Sequence, residues 1–389
     1  MTTVFENVAA GAAGTHVFAI GVGAYPFLID GVGGALAKNP LGLSQLSSPP
    51  VSAKAFIDWC LAPTLLPSAT GFTNRACPLA SVEALVSSMV PTVVAGTAGP
   101  IEVDPATRTN IDDAFDRWIA RVASNDANIG VFYFCGHGVM VADHYLLAED
   151  FGRSADRPWD RAFDVSNTLR AVEREVKGSL FFFVDACREV SRDIASTLGG
   201  IPSALKAVEL RKPVIRSSAS LIQATGEGKL AFALEGKVSR FTEALITSLS
   251  GFCGVKGPGS LTWDVDGELV AFAVRKLLES GNKTTSRRQL SDQTISGAAV
   301  PLISLATSPK VKVRLDLLPE DKRKVARLYL LSAKGSNYEQ LDATSAFQIE
   351  VPRGFYDIGA KPSAAEFVEL LFADEDLIPP LYDLTMKVQ

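Results

Sequence analysis

A chain of 389 residues is too long for one ordinary domain and suits a large domain with a small one attached. Its 47% hydrophobic and 21% charged content describes a globular, core-forming protein, and a formal charge of −5 without any basic run interleaved with aromatics argues against nucleic acid as a partner. The five cysteines (Cys60, Cys77, Cys135, Cys187, Cys253) are odd in number and form no CxxC pair, and there are three histidines, so a reducing compartment is expected, with no disulfide framework and no zinc site.

The N-terminus, Met1 to Asn7, has no basic segment leading into an apolar run, and no stretch reaches the ~18 apolar residues of a membrane span. A soluble cytoplasmic protein without membrane contact is therefore expected. The first strand is read at His16–Val22. Gly21-Val22-Gly23 after it lacks the third glycine of a dinucleotide-binding turn, and Pro26 would interrupt the helix opening. Residues 30 to 50, rich in Gly, Ser and Pro, read as loop. A short helix is predicted over Val51–Leu61, a helical or mixed segment over Val82–Val90, and a second strand near Thr92–Ala95. Thr109 is read as the N-cap of a helix whose apolar face is Ile111, Phe115, Trp118, Ile119 and Val122.

Two apolar runs follow, each of the kind that is buried on both faces of a parallel sheet. The first, Asn128 to Cys135, leads into Gly136-His137-Gly138; the second, Gly178 to Val184, leads into Asp185-Ala186-Cys187-Arg188. Between them come a hairpin over Val139–Leu147 and a crossover helix over Ser166–Val176. A strand at Ser218–Ala224 and a helix at Arg240–Leu249 complete a β-α alternation that implies a mainly parallel sheet flanked by helices. After residue 305 the pattern changes. Lys310–Leu317 alternates strictly, and Ala326–Leu331, Ala346–Val351 and Leu381–Val388 read as further strands, with a turn at Pro352–Tyr356. This is a small all-β, sandwich-like module without a catalytic constellation.

In open α/β sheets chemistry gathers at the carboxyl ends of the strands. His137 and Cys187 both stand there, and the simplest use of such a pair is a cysteine nucleophile with a histidine base. Cys135, before the glycine turn, is read as core; His16 is read as strand-edge and His144 as hairpin surface.

The phrases Phe132 to Gly138 and Phe181 to Glu189 resemble the histidine and cysteine motifs of the caspase-like clan of cysteine peptidases, which includes caspases, metacaspases and bacterial caspase-like proteins. Their order and their separation of 50 residues match the caspase pattern, known to place the histidine about that far upstream. The phrase ending the first strand and the run Glu235 to Thr242 are also similar to clan phrases, so the resemblance spans roughly residues 15 to 305. It implies a caspase-like peptidase domain over 1–305, followed by a β-rich domain over 306–389. It also implies that His137 and Cys187 are catalytic, and that the amides of Gly138 and Cys187 receive the oxyanion.

Asp185 stands where metacaspases carry an aspartate that lines the S1 pocket for a basic P1 residue, so cleavage after Arg or Lys is expected. The second acid of that pocket is missing: Ser52 falls in its place, and Asp30 is the substitute read here. Arg188 and Glu189 also depart from the usual caspase residues after the cysteine. The implied activity is regulated proteolysis of protein or peptide substrates in stress, defence or cell death. It needs no cofactor; calcium activation is left open. An activating partner would engage the β domain. Two alternatives stay open: a catalytically silent scaffold of the same fold, and a peptide ligase using the same acyl-enzyme. The basic residues Arg192, Lys206, Arg211 and Lys212, between the halves of the core, invite self-cleavage.

Overall fold

The computed structural model describes the chain apart from residues 1, 10, 66–69, 98, 141–142, 188–201, 226–234, 283–287, 342–343, 365 and 389. Two compact units are present, one formed by residues 1–246 and 266–304, the other by 247–265 and 305–389. The change of sequence pattern near residue 305 did not indicate that 247–265 would group with the second unit.

The first unit is built on a sheet of seven strands among the described residues, in the order β1 (Thr3–Glu6), β3 (Leu79–Ser87), β2 (Thr15–Val22), β4 (Ile129–Gly136), β8 (Ser179–Ala186), β9 (Ser218–Gln223) and β10 (Asp292–Gly297). The five central strands run parallel, and only the edge strands β1 and β10 pair antiparallel. The expected mainly parallel sheet flanked by helices is therefore present. Side chains of β4 alternate between two helical layers. Phe132 stacks on Phe182 of β8, with centroids 4.9 Å apart, and both meet Trp118 of helix α2 (Arg108–Val122). Tyr133, on the other face, stacks at 4.5 Å on Phe56 of helix α1 (Ser48–Leu65). Helix α3 (Val165–Val172) packs Leu169 and Val172 into the core that holds Trp118. Helix α4 (Arg240–Thr247) reaches the Tyr133 face through Thr242, whose hydroxyl is 2.6 Å from that of Tyr133. Helix α5 (Gly267–Asn282) joins this face against Phe181 and Ser220.

Two sequence expectations are corrected. The segment read as helical or mixed over Val82–Val90 is β3, a central-sheet strand buried at every position. The charge that obscured it is Glu83. This fully buried carboxylate is paired with Arg117 at 2.9 Å and Arg121 at 2.5 Å, both from α2. Burial pushes the Glu83 carboxyl up, but hydrogen bonds from Arg117, Thr3 and Arg121 outweigh it and hold it below its ordinary value. The N-cap of α2 is Thr107 rather than Thr109, its hydroxyl accepting from the Asn110 amide, while the predicted apolar face is buried as expected.

A hairpin of β5 (Gly138–Met140) and β6 (His144–Leu147), extended by β7 (Ala162–Asp164), follows β4 at the carboxyl edge of the sheet. In the second unit, β11 (Lys310–Leu318) lies between β14 (Phe347–Pro352) and β17 (Leu381–Lys387). A four-stranded sheet runs in the order β13 (Asn337–Leu341), β12 (Ala326–Ser332), β15 (Gly354–Pro362), β16 (Leu370–Leu377). Val311, Val313, Leu315 and Leu317 of β11 share one core with Leu328, Leu330 and Ile358 of the other sheet, so the module is a small sandwich. Among the described residues no helix is long and apolar enough to cross a membrane.

Removing one partner of a buried ion pair leaves the other charges unmatched. Replacing Glu83 with Gln is expected to lower unfolding free energy by about 3 kcal/mol in urea titrations. A change under ~1 kcal/mol would mean that the two arginines are satisfied by solvent.

Candidate active site

Strands β4 and β8 are in parallel register, with Cys135 opposite Asp185 and Gly136 opposite Ala186. One step further along each strand come His137 and Cys187, neighbours at the carboxyl edge. Both are partly exposed, whereas every residue of the two strands behind them is buried. Gly138 seals the approach. A Cβ there would stand 2.7 Å from the Cys187 carbonyl oxygen, 2.9 Å from the Ala186 Cβ and 2.6 Å from His144 Nε2, so only glycine lets the two exits come this close. The Leu147 amide donates to the His137 carbonyl, and Gly138 is opposite Leu146. In an antiparallel ladder this makes Gly138 a non-hydrogen-bonded position, whose N–H points away from β6.

The imidazole of His137 is held by the loop between β2 and α1. Its Nε2 is 2.8 Å from the carbonyl oxygen of Ser44. A carbonyl only accepts, so for a neutral ring Nε2 carries the proton and Nδ1 is the basic nitrogen. The His137 backbone N–H donates to the Tyr25 hydroxyl at 2.9 Å, and the two rings lie 4.9 Å apart. Tyr25 is fully buried and is itself clamped by Gln45, which accepts from the Tyr25 amide at 2.7 Å and donates to the carbonyls of Tyr25 and Ile29. Burial lowers the His137 imidazole from 6.5 to about 4, with the Ser44 carbonyl working weakly in the opposite direction. The ring is thus neutral, and able to take a proton, across the physiological range.

Asp185 lies two residues before Cys187 and is buried. Its Oδ2 accepts from Ser239 and, at 2.7 Å, from Thr242 of α4. Burial raises its carboxyl above the ordinary value, against hydrogen bonds from Ser239, Thr242 and Cys135. Ser52 borders the same cluster, its hydroxyl accepting from the Ser239 amide at 2.9 Å. Among the described residues no lysine or arginine pairs with Asp185, in contrast to Glu83. Asp30 is exposed, with φ 59, on a turn of the loop that carries Ser44, and no described contact joins it to Asp185. Cys135 is buried, as expected of a core thiol, as are Cys60, Cys77 and Cys253. Arg188, Glu189 and Arg192 lie outside the described residues. Among the described residues no group of three or more His, Cys, Asp or Glu is arranged to hold a metal ion.

Several residues at this edge escaped the sequence reading. His144, taken as hairpin surface, is buried, with Nε2 3.1 Å from the Cys187 carbonyl and Nδ1 2.9 Å from Gln223 Nε2. Its rarity was the usable signal: it is one of three histidines in the chain, seven residues after His137. Tyr25 and Gln45 act through backbone partners, and Ser44 contributes only a carbonyl, so side-chain identity carried no trace of their roles.

A profile of the caspase-domain family matches residues 71–296. An uncharacterized protein of Sinorhizobium fredii (strain NBRC 101917 / NGR234) is 34% identical over 225 residues, which cover 57% of this chain and 65% of that protein, so the match spans just under two thirds of the relative's length. Among solved structures, a protein from Geobacter sulfurreducens is 15% identical with a TM-score of 0.42, covering 74% of this chain and 95% of that one. Caspase-1 from Spodoptera frugiperda is 12% identical with a TM-score of 0.41, covering 76% and 91%. With a sheet of this kind and a thiol and an imidazole at its carboxyl edge, the chain belongs to the caspase-domain family, a peptidase family.

The His137 ring is expected to titrate with a midpoint near 4 in NMR spectra of the folded protein. A midpoint close to the ordinary 6.5 would mean that water solvates the ring despite its contacts with Ser44 and Tyr25.

Proposed function

We propose that this protein is a cysteine endopeptidase that acts through Cys187 and His137 and cleaves after Arg or Lys. The observation that supports the dyad most directly is the register of β4 and β8, with the His137 Nε2 committed to the Ser44 carbonyl. Nδ1 of His137 takes the thiol proton, and the thiolate attacks the scissile carbonyl carbon. The oxyanion is received by the amides of Gly138 and Cys187. The imidazolium then protonates the leaving amine as the C–N bond breaks, leaving a thioester. Water, deprotonated by His137, adds to the thioester carbon, and departure of the thiolate releases the acid.

Preference for a basic P1 residue rests on Asp185. Its hydroxyl donors stabilise the carboxylate without neutralising it, and no described cation does so. A substrate guanidinium or ammonium is the natural counter-charge, with the Ser52 and Ser239 hydroxyls next to the carboxylate's own hydrogen-bond cluster. Asp30, exposed on the loop that carries Ser44, would be a secondary contact for that cation. On this reading the enzyme works in the cytoplasm in regulated proteolysis, without a cofactor, and its sandwich unit receives an activating partner.

Fluorogenic peptides differing only at P1 test the proposal. Turnover should require Arg or Lys, and should vanish in Cys187→Ala and His137→Ala. In Asp185→Asn it should fall roughly 10- to 100-fold, the worth of one charge-assisted hydrogen bond. Activity retained without Cys187 would remove the peptidase assignment, and a preference for acidic P1 would remove the pocket argument.

The described part of the segment before β9 offers the enzyme an exposed basic residue of its own. Lys206 and Lys212 are near Glu175, and Lys212 also pairs with Glu209 at 2.8 Å. Arg211 is exposed, has no described ion pair, and sits in a turn beside Leu210, which is 81% exposed. Such turns are preferred sites of nicking. Intact-mass analysis of purified protein should find a cut after Arg211 in wild type that is absent from Cys187→Ala; identical masses would exclude self-processing there.

A further inference from the structure

The described ladders of the sheet stop just short of the nucleophile. Pairing of β8 with β4 ends at Ala186 opposite Gly136, and pairing with β9 ends at Val184 opposite Gln223, with one further bond from the Ala224 amide to the Val184 carbonyl. Among the described residues, the contact at the Cys187 carbonyl comes from a side chain rather than from a strand.

We infer that His144 is a positioning residue for Cys187, holding the nucleophile's carbonyl through Nε2–H while Gln223 fixes the ring from behind. The distances are 3.1 Å from His144 Nε2 to the Cys187 oxygen and 2.9 Å from Gln223 Nε2 to His144 Nδ1. The chemistry admits one neutral arrangement. A carbonyl accepts only, so Nε2 must carry the hydrogen, Nδ1 must offer its lone pair, and the Gln223 amide must donate to it. Both side chains are buried, His144 at 1% exposure and Gln223 at 5%, so the chain of bonds is shielded from water. Its two ends come from different elements: His144 opens β6, and Gln223 closes β9. Gly138 completes the arrangement, since a Cβ there would lie 2.6 Å from His144 Nε2 and 2.7 Å from the Cys187 oxygen. A second contact supports the same turn, the Thr225 hydroxyl lying 3.5 Å from the Ala186 carbonyl. The peptide on each side of Cys187 is thus met by a side chain, and the thiol is aimed rather than free to swing.

The role rests on the cysteine-peptidase reading, but its test does not require turnover. In the full-length protein, carboxamidomethylation of Cys187 by iodoacetamide is followed against pH, with the site resolved by peptide mass spectrometry. Thermal midpoints are recorded alongside. His144→Phe keeps the ring and removes the donor; it should slow alkylation at neutral pH roughly 10- to 100-fold, the scale of a misplaced reacting group. The pH profile of the rate should also change, because the thiol no longer sits where Nδ1 of His137 can take its proton. His144→Gln returns an N–H near the Nε2 position and should recover the wild-type rate to within about three-fold, with kcat following the same order and KM nearly constant. Gln223→Leu, which leaves the histidine in place, should give an intermediate rate. A purely structural role would lower the thermal midpoint while leaving the pH profile in place. Wild-type behaviour in His144→Phe at every pH, or a His144→Gln as slow as His144→Phe, would overturn the inference. If wild type hydrolyses none of the peptides, the peptidase reading fails, and the alkylation contrast still decides the role of His144.

Discussion

Everything at the carboxyl edge of the first unit depends on the register between β4 and β8. Both strands are buried along their whole length, so neither can slide without exchanging its two faces. The stacked pair Phe132–Phe182 lies on one face, and Tyr133 against Phe56 on the other. These large side chains key the strands together, and a one-residue slip would send each to the wrong layer. The same keying carries forward beyond the last paired residues and brings the exits of the two strands side by side. Glycine at 138 then lets those exits approach to a distance that any other residue would prevent. Packing far behind the edge thus determines which side chains meet at it.

The two buried carboxylates of the sheet show burial handled in two different ways. Glu83 lies on β3 with two guanidinium groups against it, and its charge is matched within the unit. Asp185 lies on β8 among hydroxyls and a thiol, and its carboxyl is raised by burial rather than held down by a cation. One arrangement is matched by cations within the unit; the other relies on hydroxyl and thiol hydrogen bonds among the described residues. His137 follows the same logic from the basic side. Burial lowers its affinity for a second proton and keeps the resting ring neutral, while the Ser44 carbonyl determines which nitrogen bears the hydrogen.

Much of this edge was legible in one dimension. The apolar runs into His137 and Cys187 announced strands buried on both faces, and the glycines around His137 announced a tight exit. The alternation of Val311, Val313, Leu315 and Leu317 announced the inward face of the sandwich. Elsewhere the local signal misled. Glu83 inside β3 made a central strand look mixed, because its partners Arg117 and Arg121 lie on a helix more than thirty residues away. His144 looked like a polar residue on a hairpin surface, because the acceptor that makes its burial tolerable is the carbonyl of Cys187, on another strand exit. The long helix α5 and the edge strand β10 drew no prediction.

The amino-acid sequence alone determined the alternation of strands and helices and the change to an all-β module. It also placed an imidazole and a thiol at two strand ends, since periodicity and chain order are local properties. Tertiary structure decided which nitrogen of His137 is basic, what aims Cys187, and that Asp185 is surrounded by hydroxyls. Each of those depends on a group distant in the chain and often on a backbone carbonyl, which every residue possesses. Hydrogen bonds to such carbonyls have no signature in residue identity, and only folding assigns them.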